Sequence, residues 1–456
     1  MAKTKSEIDM TDGNLPKKVI FFAIPIALSG WLQLLYSAAD LITCGRFGSA
    51  NSVGAISATT SISFFIISIF LGFGIGSNVV MANSYGAKDS ERGRRVIGSS
   101  YALALVAGII LMVIGFFCSR FFLEWMSTPD DIIDLSATYM RIYFLGIPFV
   151  IIYNFGAALL RGMGDTTRPF IFLTISGVIN VGLNFLFVIV FKMDVAGVAT
   201  TTVISQFIAA ILTTLALIKN KGFASLSISN IKFHKKETLD IVKVGLPAGI
   251  QSSLFSLSNV LIQSSVNYFG SSCDTGVGAA SNIESFLNTA QDSFAQAGVA
   301  FISANLGAKK LNNIDKSFKW SLIDSCFISV VLGIIVCLLA GPLISIYTSD
   351  PAAIDYGVEK LYIVASSYIL FAVVDTVSNA ERGLGYSTLS MIISLLGICG
   401  LRIVYLYVFF PIEGFNTPFW LFMSYPLSWL ITAIAHLICY FVIRKKTFDS
   451  FPKDRN

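Results

Sequence analysis

The sequence predicts an all-α polytopic membrane protein, with about twelve transmembrane helices in two pseudo-symmetric six-helix bundles. Three observations carry that prediction. Only 13% of the 456 residues are charged while 55% are hydrophobic, and the mean hydropathy is +0.74; soluble domains carry about 25% charge and could not cover their surfaces with less. Apolar windows of spanning length recur from end to end. Short motifs repeat at a nearly constant offset between the two halves.

A bilayer core about 30 Å thick needs roughly 20 apolar residues per helix. Windows of that kind, bounded by charge, Gly or Pro, fall at 17–42, 53–82, 95–118, 137–158, 169–191, 195–218, 239–267, 276–303, 318–340, 358–380, 387–410 and 417–443. The polar first 16 residues lack the apolar core of a cleavable signal peptide, so span 1 is expected to be the first anchor. Assigning loops alternately to two sides tests the count, because cytoplasmic loops collect Lys and Arg. With the N-terminus inside, one side receives Lys3, Lys5, Lys17 and Lys18, the 88–95 cluster, Arg161 and Arg168, the basic 219–243 stretch, Lys309, Lys310, Lys316, Lys319, Arg382, and Arg444 to Arg455 including Lys453. The other side receives only Arg46, Arg120, Arg141, Lys192 and Lys360. An even number of spans with both termini cytoplasmic, in the plasma membrane, follows as the expectation. The net charge of +5 then orients the chain and marks no nucleic-acid surface.

Residues 219–238 form the longest extramembrane segment, a basic cytoplasmic linker between an N-terminal lobe, 1–218, and a C-terminal lobe, 239–456. Ile24-Pro25 is matched by Leu246-Pro247, Phe47-Gly48 by Phe269-Gly270, Gly86-Ala87-Lys88 by Gly307-Ala308-Lys309, and Arg161-Gly162-Met163-Gly164 by Arg382-Gly383-Leu384-Gly385, at offsets of 222, 222, 221 and 221 residues. Six spans per copy is an even number, so both copies insert with the same orientation. Transporters built on such parallel repeats bind their cargo near the midplane.

Several chemistries are missing. No phosphate-binding loop and no soluble domain to carry one are present, so neither ATP hydrolysis nor an ATPase partner is expected. His234 and His436 lack companions at metal-ligand spacing. The seven scattered cysteines form no CxxC; six read as packing residues and Cys273 as an outer-loop residue. No serine, histidine and acid arrangement is legible, which argues against an enzyme. No cofactor is expected.

Ionisable groups at membrane depth cost about 2.5–3.5 kcal/mol on insertion scales, so they mark cavities and pathways. In span 1, Ser29, Gln33, Tyr36, Ser37 and Asp40 share about a third of the helix circumference. Ser176, Asn180 and Asn184 repeat every four residues in span 5, and Asn154 lies on span 4. A carboxylate among amides and hydroxyls can take a proton or hold Na⁺ with oxygen ligands; the bland reading has Asp40 capping a neighbour or pairing with Arg46. In span 8, Ser281, Glu284, Asn288, Gln291 and Asp292 lie within an arc of about 100°, suiting a cation path or a cationic substrate, unless Glu284 merely snorkels to water. Asp375, Asn379 and Arg382 share one side of span 10, where Asp375 is either a binding carboxylate or the arginine's internal partner. Arg402, inside span 11, needs an acidic or carbonyl partner. Pro25 and Pro247 each remove a backbone hydrogen bond and permit a bend, making spans 1 and 7 candidate gates.

These residues resemble the multidrug and toxic compound extrusion (MATE) family. The likeness runs along nearly the whole chain: Pro25 and Asp40, then Gly45, Gly48 and Gly54-Ala55, Gly86-Ala87 after the second span, and Arg161-Gly162-Met163-Gly164-Asp165 after the fourth, with partial copies in the second half. The resemblance implies twelve spans in two six-helix lobes, alternating between outward-open and inward-open states, and export of amphipathic, often cationic compounds in exchange for H⁺ or Na⁺. It places the cation-site aspartate at Asp40 with Asn180 at the amide position, where Na⁺ would sit, and Asn184 where many members carry Asp. Some members have an acidic residue on the seventh span; none lies between 244 and 267 here, so Glu284 and Asp292 are expected to take that role, and Asp375 resembles an acid of the tenth span. A monomer acting on small molecules within the lipid bilayer is expected. The competing readings are a lipid-linked oligosaccharide flippase, favoured by a basic cavity, and a receptor or scaffold using the linker for docking.

Overall fold

The computed structural model describes residues 7–49 and 51–451; Lys3, Lys5, Lys453 and Arg455 of the basic side lie outside them. The chain forms α1 (Leu15–Phe47), α2 (Ser52–Gly86), α3 (Ser90–Trp125), α4 (Asp130–Gly162), α5 (Thr167–Asn184) with a π-helical continuation Phe185–Val190, α6 (Asp194–Ile218), α7 (Lys235–Asn267), α8 (Ser271–Gly307), α9 (Leu311–Leu338), short α10 (Ala340–Ser345), α11 (Pro351–Ser366), α12 (Tyr368–Gly383), α13 (Ser387–Ser394), α14 (Leu401–Val404) and α15 (Pro418–Asp449). Spans 1 to 9 correspond to α1 to α9. Span 10 is the pair α11 and α12, bent by 49°; span 11 runs from α13 through two π-helical stretches around α14, and span 12 is α15. Nine described helices are long and apolar enough to cross a membrane, ten with the bent pair. α7 and α8 are as long, at 33 and 37 residues, but α8 carries the polar face with Glu284 and Asp292.

The repeated motifs are helix stops. After α2 the chain turns at Lys88 (φ 57°) and after α8 at Lys309 (φ 57°), with Asp89 N donating to Ser84 O at 3.1 Å and Lys310 N to Asn305 O at 2.9 Å. After α4 and α12 the turn residue is Gly164 (φ 91°) and Gly385 (φ 92°). Asp165 N donates to Leu160 O and Tyr386 N to Glu381 O, both at 2.9 Å, closing Schellman-type caps that glycine alone adopts without Cβ strain.

Two compact units form. One contains 28–253 with the chain up to Asp9, and the other contains Met10–Ala27 with 254 onward. The unit boundaries therefore fall inside α1 and α7, the helices that carry Pro25 and Pro247. In the first unit, α4 packs on α2, α3 and α6 around Phe144, Ile147, Ile151 and Phe155, all fully buried. The first half of α7 docks on α2 through small residues: a Cβ on Gly72 or Gly76 would strike the α7 backbone, and one on Gly245 would lie 2.6 Å from Phe73 Cα. Such contacts substitute for the hydrophobic drive that is missing between helices in lipid. In the second unit, α8 packs on α9, α11 and α12, and Phe22 from the start of α1 meets Phe301 edge-on at 5.4 Å.

Two expectations need correction. Cys273 is no loop residue: it sits in the first turn of α8 and is fully buried, because that helix begins five residues earlier than the apolar window. Lys360, counted with the outer surface, is 2% exposed, since its charge is answered inside the unit by Glu284 at 3.2 Å. The segment after α6 folds onto the first unit: Phe223, Ala224 and Leu226 are buried, Asn230 Nδ2 donates to Arg94 O, and His234 N donates to Ser99 Oγ.

The glycine crossing gives a direct test. Gly249→Leu, whose side chain would meet the backbone of Ile69, is expected to cost about 1–3 kcal/mol as overpacking and to lower the Tm of the purified protein. Gly278→Ala, with nothing within 4 Å of the new Cβ, leaves Tm unchanged or slightly higher. Equal melting curves for both variants would contradict the crossing.

Candidate cation-coupling site

Asp40 lies about two turns before the end of α1, and its carboxylate meets a polar cluster from α5 and α6. Asn184 Nδ2 donates to Asp40 Oδ1 at 2.5 Å and reaches Asn180 Oδ1 at 3.3 Å. Thr201 Oγ1 donates to Asn184 Oδ1 at 2.6 Å, and that acceptor fixes the amide so that its NH₂ faces the acid. Thr202 Oγ1 reaches Asp40 Oδ2 at 3.4 Å. Asn180 and Asn184 are 4% and 1% exposed, so these hydrogen bonds replace water around the charge. Asn184 is also the last α-helical residue before the π-helical stretch, a local widening that recurs at functional sites.

Chemically, the cluster offers a carboxylate, an amide oxygen and a hydroxyl. That is a hard oxygen set, suited to Na⁺, and the same carboxylate can take a proton. Asp40 makes neither of the bland contacts: its hydrogen bonds go to Asn184 and Thr202, while Arg46 is exposed at the last turn of α1. Another acid, Asp194, caps the α1–α2 turn by accepting from Ser49 N at 3.3 Å and from Ser52 Oγ.

The remaining candidates on the first unit gather less tightly. Tyr36 packs its ring over Gly177 and donates to Thr174 O at 3.5 Å. Gln33 and Ser37 are exposed on α1. Asn154 donates to Val150 O of its own helix at 2.8 Å and does not join the Asp40 cluster.

In the second unit the polar face of α8 separates into three partnerships. Glu284 pairs with Lys360, whose Nζ also donates to Ser281 Oγ at 2.7 Å, so it does not snorkel as a free acid. Gln291 Nε2 donates to Asp375 Oδ2 at 2.9 Å, and Asn379 Nδ2 donates to Asp375 Oδ1 at 3.0 Å; Arg382 Nη1 donates to Asn379 Oδ1 at 3.2 Å, linking acid to arginine through an amide. Asp292 accepts from Gln296 at 2.6 Å. Asn288 is exposed. Arg402 finds its carbonyl partner in the side-chain amide oxygen of Asn259 and is also held by Ser428 Oγ and the Tyr425 ring.

Sequence reasoning missed Thr201 and Thr202, because threonines at helical spacing are common in spans. It also missed a serine, histidine and acid chain: His436 Nδ1 lies 3.0 Å from Glu381 Oε2 and its Nε2 lies 2.9 Å from Ser394 Oγ. The three are separated by 42 and 55 positions in sequence, which hid them. All three are fully buried, so no substrate carbonyl can reach the serine.

Comparison with known proteins agrees with this architecture. The MatE family model matches residues 25–186 and 247–408, two copies that begin at Pro25 and Pro247. "Probable multidrug resistance protein YoeA" of Bacillus subtilis (strain 168) is 28% identical over 394 residues, 85% of each chain. "Multidrug export protein MepA" of Staphylococcus saprophyticus subsp. saprophyticus is 22% identical over 432 residues, 94% of each chain. The outward-facing structure of a multidrug resistance MATE family transporter superimposes with a TM-score of 0.92 at 18% identity, covering 98% of this chain and 100% of that one. With the family matched in both halves and the twelve-helix, two-lobe fold reproduced, the chain belongs to the MatE family of multidrug and toxic compound extrusion proteins and is a multi-pass membrane transporter, not an enzyme.

Proposed function

We propose that this protein is a multidrug efflux transporter that exports amphipathic, often cationic organic compounds across the plasma membrane by alternating access, in exchange for inward H⁺ or Na⁺. The observation that carries the reading is the Asp40 cluster, a half-buried carboxylate satisfied by Asn184 and Thr202 and backed by Asn180 and Thr201. Relatives named for multidrug resistance and export support the substrate class. Inward movement of one charge across 100 mV supplies about 2.3 kcal/mol, enough to drive substantial accumulation.

In this mechanism Asp40 holds the coupling cation with the amide oxygen of Asn180, or takes a proton and gives up part of its hold on Asn184. Either event changes the charge on the second half of α1, and Pro25 lets that half bend independently of the first. Cation and drug then bind preferentially to different conformations, as exchange requires. Both termini face the cytoplasm, the arrangement that places most Lys and Arg on that side.

Dye accumulation in proteoliposomes, with pH and Na⁺ gradients imposed separately, tests the reading. Asp40→Asn, at normal expression, is expected to abolish gradient-driven transport, and undiminished transport would overturn the assignment. Hydrogen bonds to charged groups are worth about 1.5–3 kcal/mol, so Asn184→Leu should slow coupled transport by roughly ten- to hundredfold. Thr202→Val, which removes a long 3.4 Å contact, should slow it by only a few-fold; a reversed order would contradict the geometry.

A further inference from the structure

The family model matches residues 25–186 and 247–408, so the two matches both start and end 222 residues apart. Carried through that offset, Asp40, Asn180 and Asn184 have counterparts in the second unit, and the chemistry there is reversed. Asp40 corresponds to Ile262, Asn184 to Leu406, and Asn180 to Arg402. Ser37 corresponds to Asn259, the residue that accepts from Arg402 Nη1 at 3.4 Å. The stretch between the second and fourth spans is offset by one residue less, as Arg161 and Arg382 show, which sets Lys360 where the first unit has Tyr139. The position that holds an acid in one repeat is apolar in the other, and the amide and phenol positions hold an arginine and a lysine.

Those two cations are buried. Arg402 is 5% exposed and Lys360 2%. Lys360 is neutralised by Glu284, but Arg402 forms no salt bridge among the described residues. Its Nε donates to Ser428 Oγ at 3.2 Å, its Nη1 faces Asn259, and its guanidinium stacks 4.2 Å over the ring of Tyr425. Nη2 makes no hydrogen bond among the described residues. The neutral holders fix the fork in place, and the Glu284 carboxylate, already paired with Lys360, is the one acid among the described residues shared by the two cations; the positive charge left in excess is costly at membrane depth unless an anion completes the site. α14, which carries Arg402, lies between two π-helical stretches, Leu395–Gly400 and Tyr405–Phe409, just as Asn184 borders one in the first unit.

We infer that the second unit carries an anion-binding site centred on Arg402, the charge-reversed counterpart of the Asp40 site, which takes a monoanionic group such as the carboxylate head of an amphipathic compound. A planar guanidinium with a free N–H edge matches a carboxylate, and the half-buried Tyr425 ring on which it stacks holds that edge in orientation. The site does not depend on cation coupling at Asp40, so its test is a binding measurement and not a transport assay.

The test uses the full-length protein in nanodiscs of uncharged phosphatidylcholine, titrated with dansylglycine and with its neutral amide. The wild-type protein is expected to bind the carboxylate probe about tenfold or more tightly than the amide. Arg402→Asn, which restores the residue of the first unit, should bring that ratio close to one, whereas Arg402→Lys keeps part of it; Arg402→Gln supplies the same comparison if the asparagine variant does not fold. Titrating chloride at constant ionic strength, balanced with sulfate, separates the two sources of the anion: displacement of the probe assigns the site to an inorganic monoanion, and persistence assigns it to an organic head. Equal binding of both probes by the wild type, or an unchanged ratio in Arg402→Asn or Arg402→Gln, would overturn the inference.

Discussion

A charge inside a bilayer has to be compensated by the protein that buries it, because no water is available to do so. This constraint organises both units. Asp40 is answered by the amide of Asn184 and the hydroxyl of Thr202, Glu284 by Lys360, Glu381 by His436, and Asp375 by Gln291 and Asn379. The solutions differ in kind. A carboxylate paired with a lysine is neutral and fixed, whereas one held only by neutral donors keeps its negative charge and remains able to exchange a cation. By that distinction Glu284 is neutralised in place by Lys360, whereas Asp40 keeps the charge that the proposed cation exchange would use.

The same distinction separates the two repeats. They share helix stops at Lys88 and Lys309 and at Gly164 and Gly385, so the backbone plan was duplicated nearly intact. The side chains at the corresponding depth have diverged in sign, from Asp40 and Asn180 to Ile262 and Arg402.

Much of the fold was legible in the sequence, because membrane insertion leaves a strong pattern. The apolar windows, the one-sided Lys and Arg, and the four repeated motifs each arise from a requirement of the bilayer or of helix termination. The Asp40 face was legible for the same reason, as a polar stripe that cannot meet lipid. What stayed hidden depends on pairing across the chain. Thr201 and Thr202 gain their meaning only from Asn184 and Asp40. Lys360 read as a surface charge until Glu284, 76 positions earlier in the numbering, was found beside it. Glu381, Ser394 and His436 show no local spacing at all. The bend at Ser367 was also invisible, because an apolar window records length and not direction.

The central claim is that the half-buried carboxylate of Asp40 exchanges its cation against the transported compound. Reciprocal linkage requires that binding of one release the other. The most direct measurement is therefore the release of H⁺ into weakly buffered solution, or of ²²Na⁺ from preloaded protein, when a cationic dye is added to the purified transporter. The account predicts that one of the two ions is released by the wild type and neither by Asp40→Asn. Dye binding that releases neither ion from the wild type, or equal release from the variant, would contradict it.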